Sequence, residues 1–237
     1  MEKKEQLYEG KAKKVFATDD PNVVMVSYKD DATAFNGLKK GTIQGKGVIN
    51  NRMSNVIFAM LEKEGVPTHF IRELSDRETE VKKVKIVPLE VIVRNVAAGS
   101  FSKRMGVAEG TALLCPILEF SYKCDELGDP FINDDYALAL GLATAEEIDT
   151  IKTYTRKINE CLKKYFLAAG LKLIDFKIEF GKDKDGKIIL ADEISPDTCR
   201  LWDVNTNEKL DKDRFRRDLG NVEGAYQEVY KRLGLTK

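Results

Sequence analysis

The segment Leu173-Ile174-Asp175-Phe176-Lys177-Ile178-Glu179-Phe180 alternates apolar and charged residues with a period of two. In a strand such alternation puts Asp175, Lys177 and Glu179 on one face and Ile174, Phe176, Ile178 and Phe180 on the other. If the chain after the turn-rich stretch from Gly181 to Gly186 pairs symmetrically about that turn, Asp192 falls across from Lys177 and diagonal to Glu179. Two carboxylates beside an ammonium suit a divalent ion such as Mg2+, which takes carboxylate oxygens together with substrate phosphates and water. A solvated strand face with charges paired across the sheet accounts for the same pattern.

Three further segments carry groups that bind anions. Tyr8-Glu9-Gly10-Lys11-Ala12-Lys13 places a glycine in a strand-turn-strand context, with two lysines at period two. Such a loop can cover a triphosphate, although it is not a P-loop, and ordinary surface lysines would look the same. Arg94 ends an apolar strand and is followed by small residues and Gly99-Ser100. Its planar fork suits a phosphate or carboxylate, with the Gly99 amide and Ser100 hydroxyl adding donors; pairing with Glu90 on the same strand face is the alternative. Finally, Asp192 to Asp203 gathers acids, hydroxyls, Arg200 and the single tryptophan around Pro196. That composition reads as a stiffened site loop in which Arg200 is a second phosphate clamp, while turn formation alone explains Ser195-Pro196-Asp197.

These groups need a scaffold. Lys14 to Ala17 and Val23 to Val26, separated by Asp19-Asp20-Pro21-Asn22, read as a hairpin. Ile49, Met53, Val56, Ile57, Met60 and Leu61 recur at helical spacing and predict a helix with one buried face, stopped by Gly65 and Pro67. Val66 to Leu74 and Glu78 to Val96 are β-rich; Pro88 interrupts the second and, since proline cannot donate to a central ladder, marks a candidate domain boundary. Gly99 to Asp135 predicts mostly short helix and loop. Thr144 and Glu147 form a capping box ahead of a stripe from Ile148 to Phe166. The segments from Leu171 to Phe180 and from Lys187 to Ile194 predict a hairpin, and a last helix is expected from Asp211 to Leu233.

Composition bounds the function. The 237 residues, 43% of them hydrophobic, suffice for a real core in one large or two small domains. With 39 basic and 39 acidic residues there is no overall field for nucleic acid or an anionic membrane, so a small-molecule partner is expected. No apolar run approaches the roughly 20 residues of a membrane span, and the charged opening lacks the apolar core of a signal peptide, which points to the cytoplasm. Cys115, Cys124, Cys161 and Cys199 have no C-x-x-C spacing and read as reduced thiols. The single histidine, His69, lies in an apolar stretch and reads as a packed residue rather than a catalytic one. Catalysis therefore falls to Lys, Arg, Asp and Glu.

Two long segments, Ile86 to Ser100 and Leu173 to Gly181, resemble the signature segments of the SAICAR synthetase family. Tyr8 to Lys13, Lys123 to Pro130 and Asp192 to Asp203 resemble further family motifs in the expected order, so the resemblance spans nearly the whole chain. In the loop from Asp30 to Gly37, Asn36 stands near a position where other members carry an acidic residue. The resemblance implies an α+β fold like the ATP-binding framework of protein kinases and ATP-grasp enzymes, with an antiparallel β-rich domain over residues 1–87 and a larger α+β domain over 88–237. It implies that L-aspartate is joined to the carboxylate of carboxyaminoimidazole ribonucleotide (CAIR) while ATP is cleaved, with Mg2+ as cofactor and a homodimer as the assembly. By the same resemblance Gly10, Lys11, Ala12, Lys13 and Lys123 bind ATP, and Glu179 and Asp192 carry the metal. Arg94, Gly99, Ser100, Asp129, Asp175, Lys177, Asp197 and Arg200 contact the ribonucleotide, and Lys13, Lys177, Glu179 and Asp192 form the catalytic set.

Overall fold

The computed structural model describes residues 2–35 and 37–236, so Asn36 lies outside the described residues. The chain opens with strands β1 (Lys3–Glu9), β2 (Lys13–Thr18) and β3 (Val23–Tyr28), then a short hairpin of β4 (Asp31–Ala34) and β5 (Lys39–Thr42). Helix α1 (Lys46–Lys63) follows, then β6 (Phe70–Glu73) and β7 (Glu78–Lys82). The second half contains β8 (Lys85–Val96), α2 (Gly99–Met105), β9 (Ala112–Tyr122), β10 (Phe131–Ile132), α3 (Asp134–Ala139), α4 (Ala145–Ala168), β11 (Leu171–Lys182), β12 (Ile188–Ala191), β13 (Cys199–Asp203), α5 (Asp213–Arg216) and α6 (Val222–Arg232).

Two antiparallel sheets result. The first has the order β1-β2-β3-β7-β6, the second β10-β9-β8-β11-β12 with β13 also on β11. This is the α+β architecture that the resemblance implied. The sheets change over between Lys82 and Lys85, whereas Pro88 lies inside β8. It is tolerated there because the β8–β11 register shifts between Glu90 and Ile86, relaxing the ladder that proline cannot complete.

The twelve-residue β11 is the spine of the second sheet. β8 covers one edge, and the other is shared by β13 at Leu171–Phe176 and β12 at Glu179–Lys182. Residues 192–198 leave the sheet in the gap between them, opposite Lys177, whose amide is bonded by the Thr198 carbonyl at 2.9 Å. On the other face of the sheet, α4 packs Ile148, Ile151, Ile158, Leu162 and Phe166 against Phe176, Ile178 and Phe180. Each such side chain contributes roughly 1.5–3 kcal/mol of transfer free energy as an upper bound. The capping box starts α4 as expected, with reciprocal Thr144 and Glu147 hydrogen bonds of 3.0 and 3.3 Å.

Several local expectations are corrected. Ile174 joins Val96, Ala98 and Trp202 instead of the main core, because a register shift between Leu173 and Asp175 flips the alternation there. Helix α1 buries Asn50, Asn51, Ser54 and Asn55 as well as its apolar stripe, so it is enclosed on more than one face. The segment from Gly99 to Asp135 contains the eleven-residue β9, with Pro116 in the irregular stretch where its pairing with β8 shifts. The last helix is split: Asp218, Gly220 and Asn221 all have positive φ and break it between α5 and α6. No helix among the described residues is long and apolar enough to cross a membrane.

Candidate active site

A cavity of about 390 Å3 opens on the polar face of the second sheet. Its walls include Arg94, Ser100, Asp129, Asp175, Lys177, Asp197 and Arg200, which are seven of the eight residues expected to contact the ribonucleotide. The eighth, Gly99, acts through Arg200. Its φ is +54°, and an added Cβ would stand 2.6 Å from the Arg200 guanidinium carbon. Gly99→Ala is expected to cost about 2 kcal/mol, from left-handed strain and displacement of that guanidinium. Urea unfolding measures this; unchanged stability would mean that Arg200 moves aside freely.

Asp175 organises the arginine end. Its Oδ2 accepts from Arg94 Nη1 at 3.1 Å and Arg200 Nη1 at 2.8 Å. Arg94 is buried and also donates to Glu119 Oε2 at 3.0 Å and Ser100 Oγ at 3.2 Å. Arg94 therefore does not pair with Glu90; Glu90 instead accepts from Lys177 at 2.7 Å. The two arginines thus converge on one carboxylate, with the Ser100 hydroxyl beside Arg94.

From Lys177, which lines the cavity, lysines and carboxylates alternate. Lys177 donates to Glu179 at 3.0 Å, and Lys123 donates to the same Glu179 oxygen at 2.9 Å. Lys13 bonds Asp192 and lies 3.5 Å from Glu193. The β11–β12 register sets Glu179 opposite Ala191, so it is one residue off the symmetric pairing that would have put Asp192 across from Lys177. A slip of one residue reverses the face. Here β12 ends at Ala191, and Asp192 turns with φ +62° towards Lys13.

Charge fixes the protonation states. Burial works against the Lys13 ammonium, but Asp192 and Glu193 outweigh it and hold it protonated well above the usual lysine range. Burial likewise opposes the Asp192 carboxylate, yet Lys13 and then Lys177 keep it far below the ordinary carboxylate range. Glu193 goes the other way: burial, with the neighbouring Asp192 and Asp197 charges, raises its carboxyl despite Lys13. Among the described residues no group of three or more His, Cys, Asp and Glu gathers to hold a metal ion, and the two carboxylates expected to carry one, Glu179 and Asp192, are each bonded to lysine.

The N-terminal loop closes over this end. The Gly10 amide bonds the Lys13 carbonyl at 2.8 Å, and Lys11 reaches Asp125 at 2.9 Å in the segment that follows Lys123. Asp129, with φ +50°, shapes that segment by accepting from the Cys124 amide at 2.8 Å.

Glu90, Glu119, Glu193 and Asp213 escaped sequence reasoning as site partners. Glu193 had a signal, since it adjoins Asp192; Glu119 and Asp213 lie on segments read as loop or helix. The cysteines are free thiols, as expected. His69 is buried edge-on against Phe58, with ring centroids 5.1 Å apart, and burial followed by the Lys13 charge pushes its pKa down to about 3. An unfolded imidazole binds a proton below about pH 6.5, so this contribution is full above that pH and is lost as pH falls towards 3. By pH 5 the loss is about 2 kcal/mol. Urea melts at pH 7 and 5 should show His69→Gln losing less stability than the parent by that amount, and equal losses would contradict a buried neutral imidazole.

The match to known proteins covers the whole arrangement. The SAICAR synthetase model matches residues 6–233. The chain belongs to the SAICAR synthetase family. The phosphoribosylaminoimidazole-succinocarboxamide synthase of Lachnoclostridium phytofermentans is 74% identical over 235 residues, 99% of this chain and 100% of the relative. The crystal structure of the synthase from Ehrlichia chaffeensis superposes with a TM-score of 0.96 at 49% identity, over 98% of this chain and 100% of that one. A SAICAR synthetase solved in complex with ADP gives a TM-score of 0.94 at 50% identity, over 98% and 99% of the two chains. The fold and the motif order expected of a SAICAR synthetase thus hold along the chain.

Proposed function

We infer that this protein joins L-aspartate to the carboxylate of CAIR, giving SAICAR with cleavage of ATP to ADP and phosphate, a step of purine biosynthesis. The observation that carries this reading is a cavity walled by the paired arginines and by Lys177, from which an alternating lysine–carboxylate network continues through Glu179 to Lys123, in a chain that matches SAICAR synthetases along nearly its whole length. A carboxylate is a poor electrophile, and attack of its oxygen on the γ-phosphate of ATP converts it to an acyl phosphate with ADP leaving. The aspartate amine then attacks the acyl carbon, phosphate departs, and the amine loses a proton.

Arg94, Ser100 and Arg200, with Gly99 making room, hold the ribonucleotide phosphate, and Asp129, Asp175 and Asp197 complete the ribonucleotide site. Gly10, Lys11, Ala12, Lys13 and Lys123 hold the ATP phosphates, and Lys177 is aligned on the carboxylate to be activated. Glu179 and Asp192 supply hard oxygen donors of the kind Mg2+ prefers, and the ion when bound neutralises charge on the transferring phosphoryl group. No protein nucleophile is required; positioning and electrostatics supply the acceleration. The division into 1–87, covering ATP, and 88–237, carrying metal and substrate groups, draws on the change of sheet between Lys82 and Lys85. A cytoplasmic homodimer completes the reading.

The test follows ADP and product mass with MgATP and CAIR, with and without L-aspartate. SAICAR formed only with aspartate is the expected outcome. ADP release that ignores aspartate would make the protein a kinase, and no turnover would leave a binding protein.

A further inference from the structure

A second cavity, of about 880 Å3, reaches the consecutive residues Pro116, Ile117, Leu118, Glu119 and Phe120 of β9. Side chains of a strand alternate between its faces, so a cavity that touches such an unbroken run wraps round the strand's edge. That edge is open. β8 pairs along one side of β9, whereas on the other side β10 pairs only with Phe120 and Ser121. An open edge is where another chain can add. Strand addition itself is blunted here, because the β8–β9 register shifts between Arg94 and Val96, and Pro116 in that stretch has no amide to donate. An occupant of this cavity therefore docks by its side chains.

Val93, Leu118, Phe120 and Ile132 give the cavity an apolar floor. Phe131 and Tyr136 line it while still exposed to solvent, and Leu114, two residues ahead of Pro116, is fully exposed. The polar groups around the floor are already matched: Lys152 pairs with Asp134, Arg104 pairs with Glu119, and Asn159 exchanges hydrogen bonds of 2.9 and 3.0 Å with Asn95. A small polar ligand would meet no converging set of free donors, so the cavity suits an apolar protein surface. Two lining residues of opposite sign, Arg156 and Glu160, are exposed one turn apart on α4. Glu160 meets Lys163 on its own helix at 3.3 Å. Such a rim is complementary to itself: about a two-fold axis, Arg156 of each copy meets Glu160 of the other.

We propose that this cavity seats a second copy of the chain, with Leu114 of each copy entering the apolar floor of the other, and that the contact backs the ribonucleotide site. The proposal rests on the homodimer and the ribonucleotide role inferred above, and adds which face pairs and what the pairing does. Glu119 holds Arg104 with one carboxylate oxygen and Arg94 with the other. Arg104 lies over the Phe131 ring, 3.9 Å from its centroid, and Phe131 lines both cavities. A copy seated against Phe131 and Arg104 holds Glu119 still, and with it the guanidinium of Arg94.

Sedimentation of the full-length protein over a range of concentrations tests the seat with Leu114→Asp, Arg156→Glu and the double exchange of Arg156→Glu with Glu160→Arg. The parent is expected to be a dimer. Each single exchange should raise its dissociation constant about tenfold or more, by placing a charge in an apolar seat or by opposing like charges, and the double exchange should restore pairing. Leu114 and Arg156 are exposed in the single chain, so far-UV circular dichroism should be unchanged. Initial rates of the dissociated variants should show KM for CAIR raised about threefold or more, with KM for ATP unchanged. A monomeric parent would overturn the homodimer reading and the seat with it. A dimer that neither single exchange weakens overturns the seat alone, and dissociated variants with an unchanged KM for CAIR overturn the backing of Arg94.

Discussion

Asp192→Asn and Glu179→Gln each lower kcat for SAICAR formation on the order of 10²–10³ while the fold is retained. Both exchanges are near-isosteric and remove only the negative charge. Asparagine also tolerates the left-handed backbone that Asp192 adopts at φ +62°, so the turn out of β12 survives. The neighbours of the two carboxylates explain the size of the effect. Glu179 accepts from both Lys123 and Lys177, and Asp192 holds Lys13, so each exchange leaves a lysine misdirected in addition to removing the metal ligand that the proposed function assigns there. Because Lys13 and Lys177 hold Asp192 far below the ordinary carboxylate range, it is ionised at every practical assay pH, and raising the pH does not rescue the variants. Turnover at saturating MgATP, CAIR and L-aspartate, with thermal melts alongside, is the measurement. A kcat within about threefold of the parent for both would remove these residues from the phosphoryl-transfer site.

Much of this site is legible in the sequence because β11 is a regular strand. Its period of two puts Lys177 and Glu179 on one face, and the structure keeps them there, bonded to each other. The placement of Asp192 was less legible. It depends on where β12 stops and on one residue taking positive φ, and aspartate is compatible with either conformation. Prolines misled for a common reason. Pro88 reads as an interruption of its strand and Pro116 lies in a stretch that reads as helix and loop, yet each falls where strand pairing shifts, and a register shift can only be seen once the partner strand is known. The acidic partners of the arginines were invisible because they are set by tertiary contact: Glu119 is 25 residues from Arg94, and Asp213 is 13 from Arg200.

Arg94→Lys tests how far the arginine end is both scaffold and binding site. The guanidinium is buried and makes three bonds in three directions, to Glu119, Asp175 and Ser100. An ammonium is compact and cannot span them, so at least one buried carboxylate loses its partner. Removing one side of a buried ion pair costs about 3–5 kcal/mol, and since a lysine retains the charge, the expected loss is roughly half of that. Asp175 would still hold Arg200, so the second clamp survives and CAIR binding is weakened, not abolished. The expected result is therefore a lower urea midpoint together with a KM for CAIR raised about tenfold, with KM for ATP little changed. A stability loss with an unchanged KM for CAIR would make Arg94 a structural tie between β8, β9 and β11 alone, and would assign the phosphate to Arg200 and Ser100 without it.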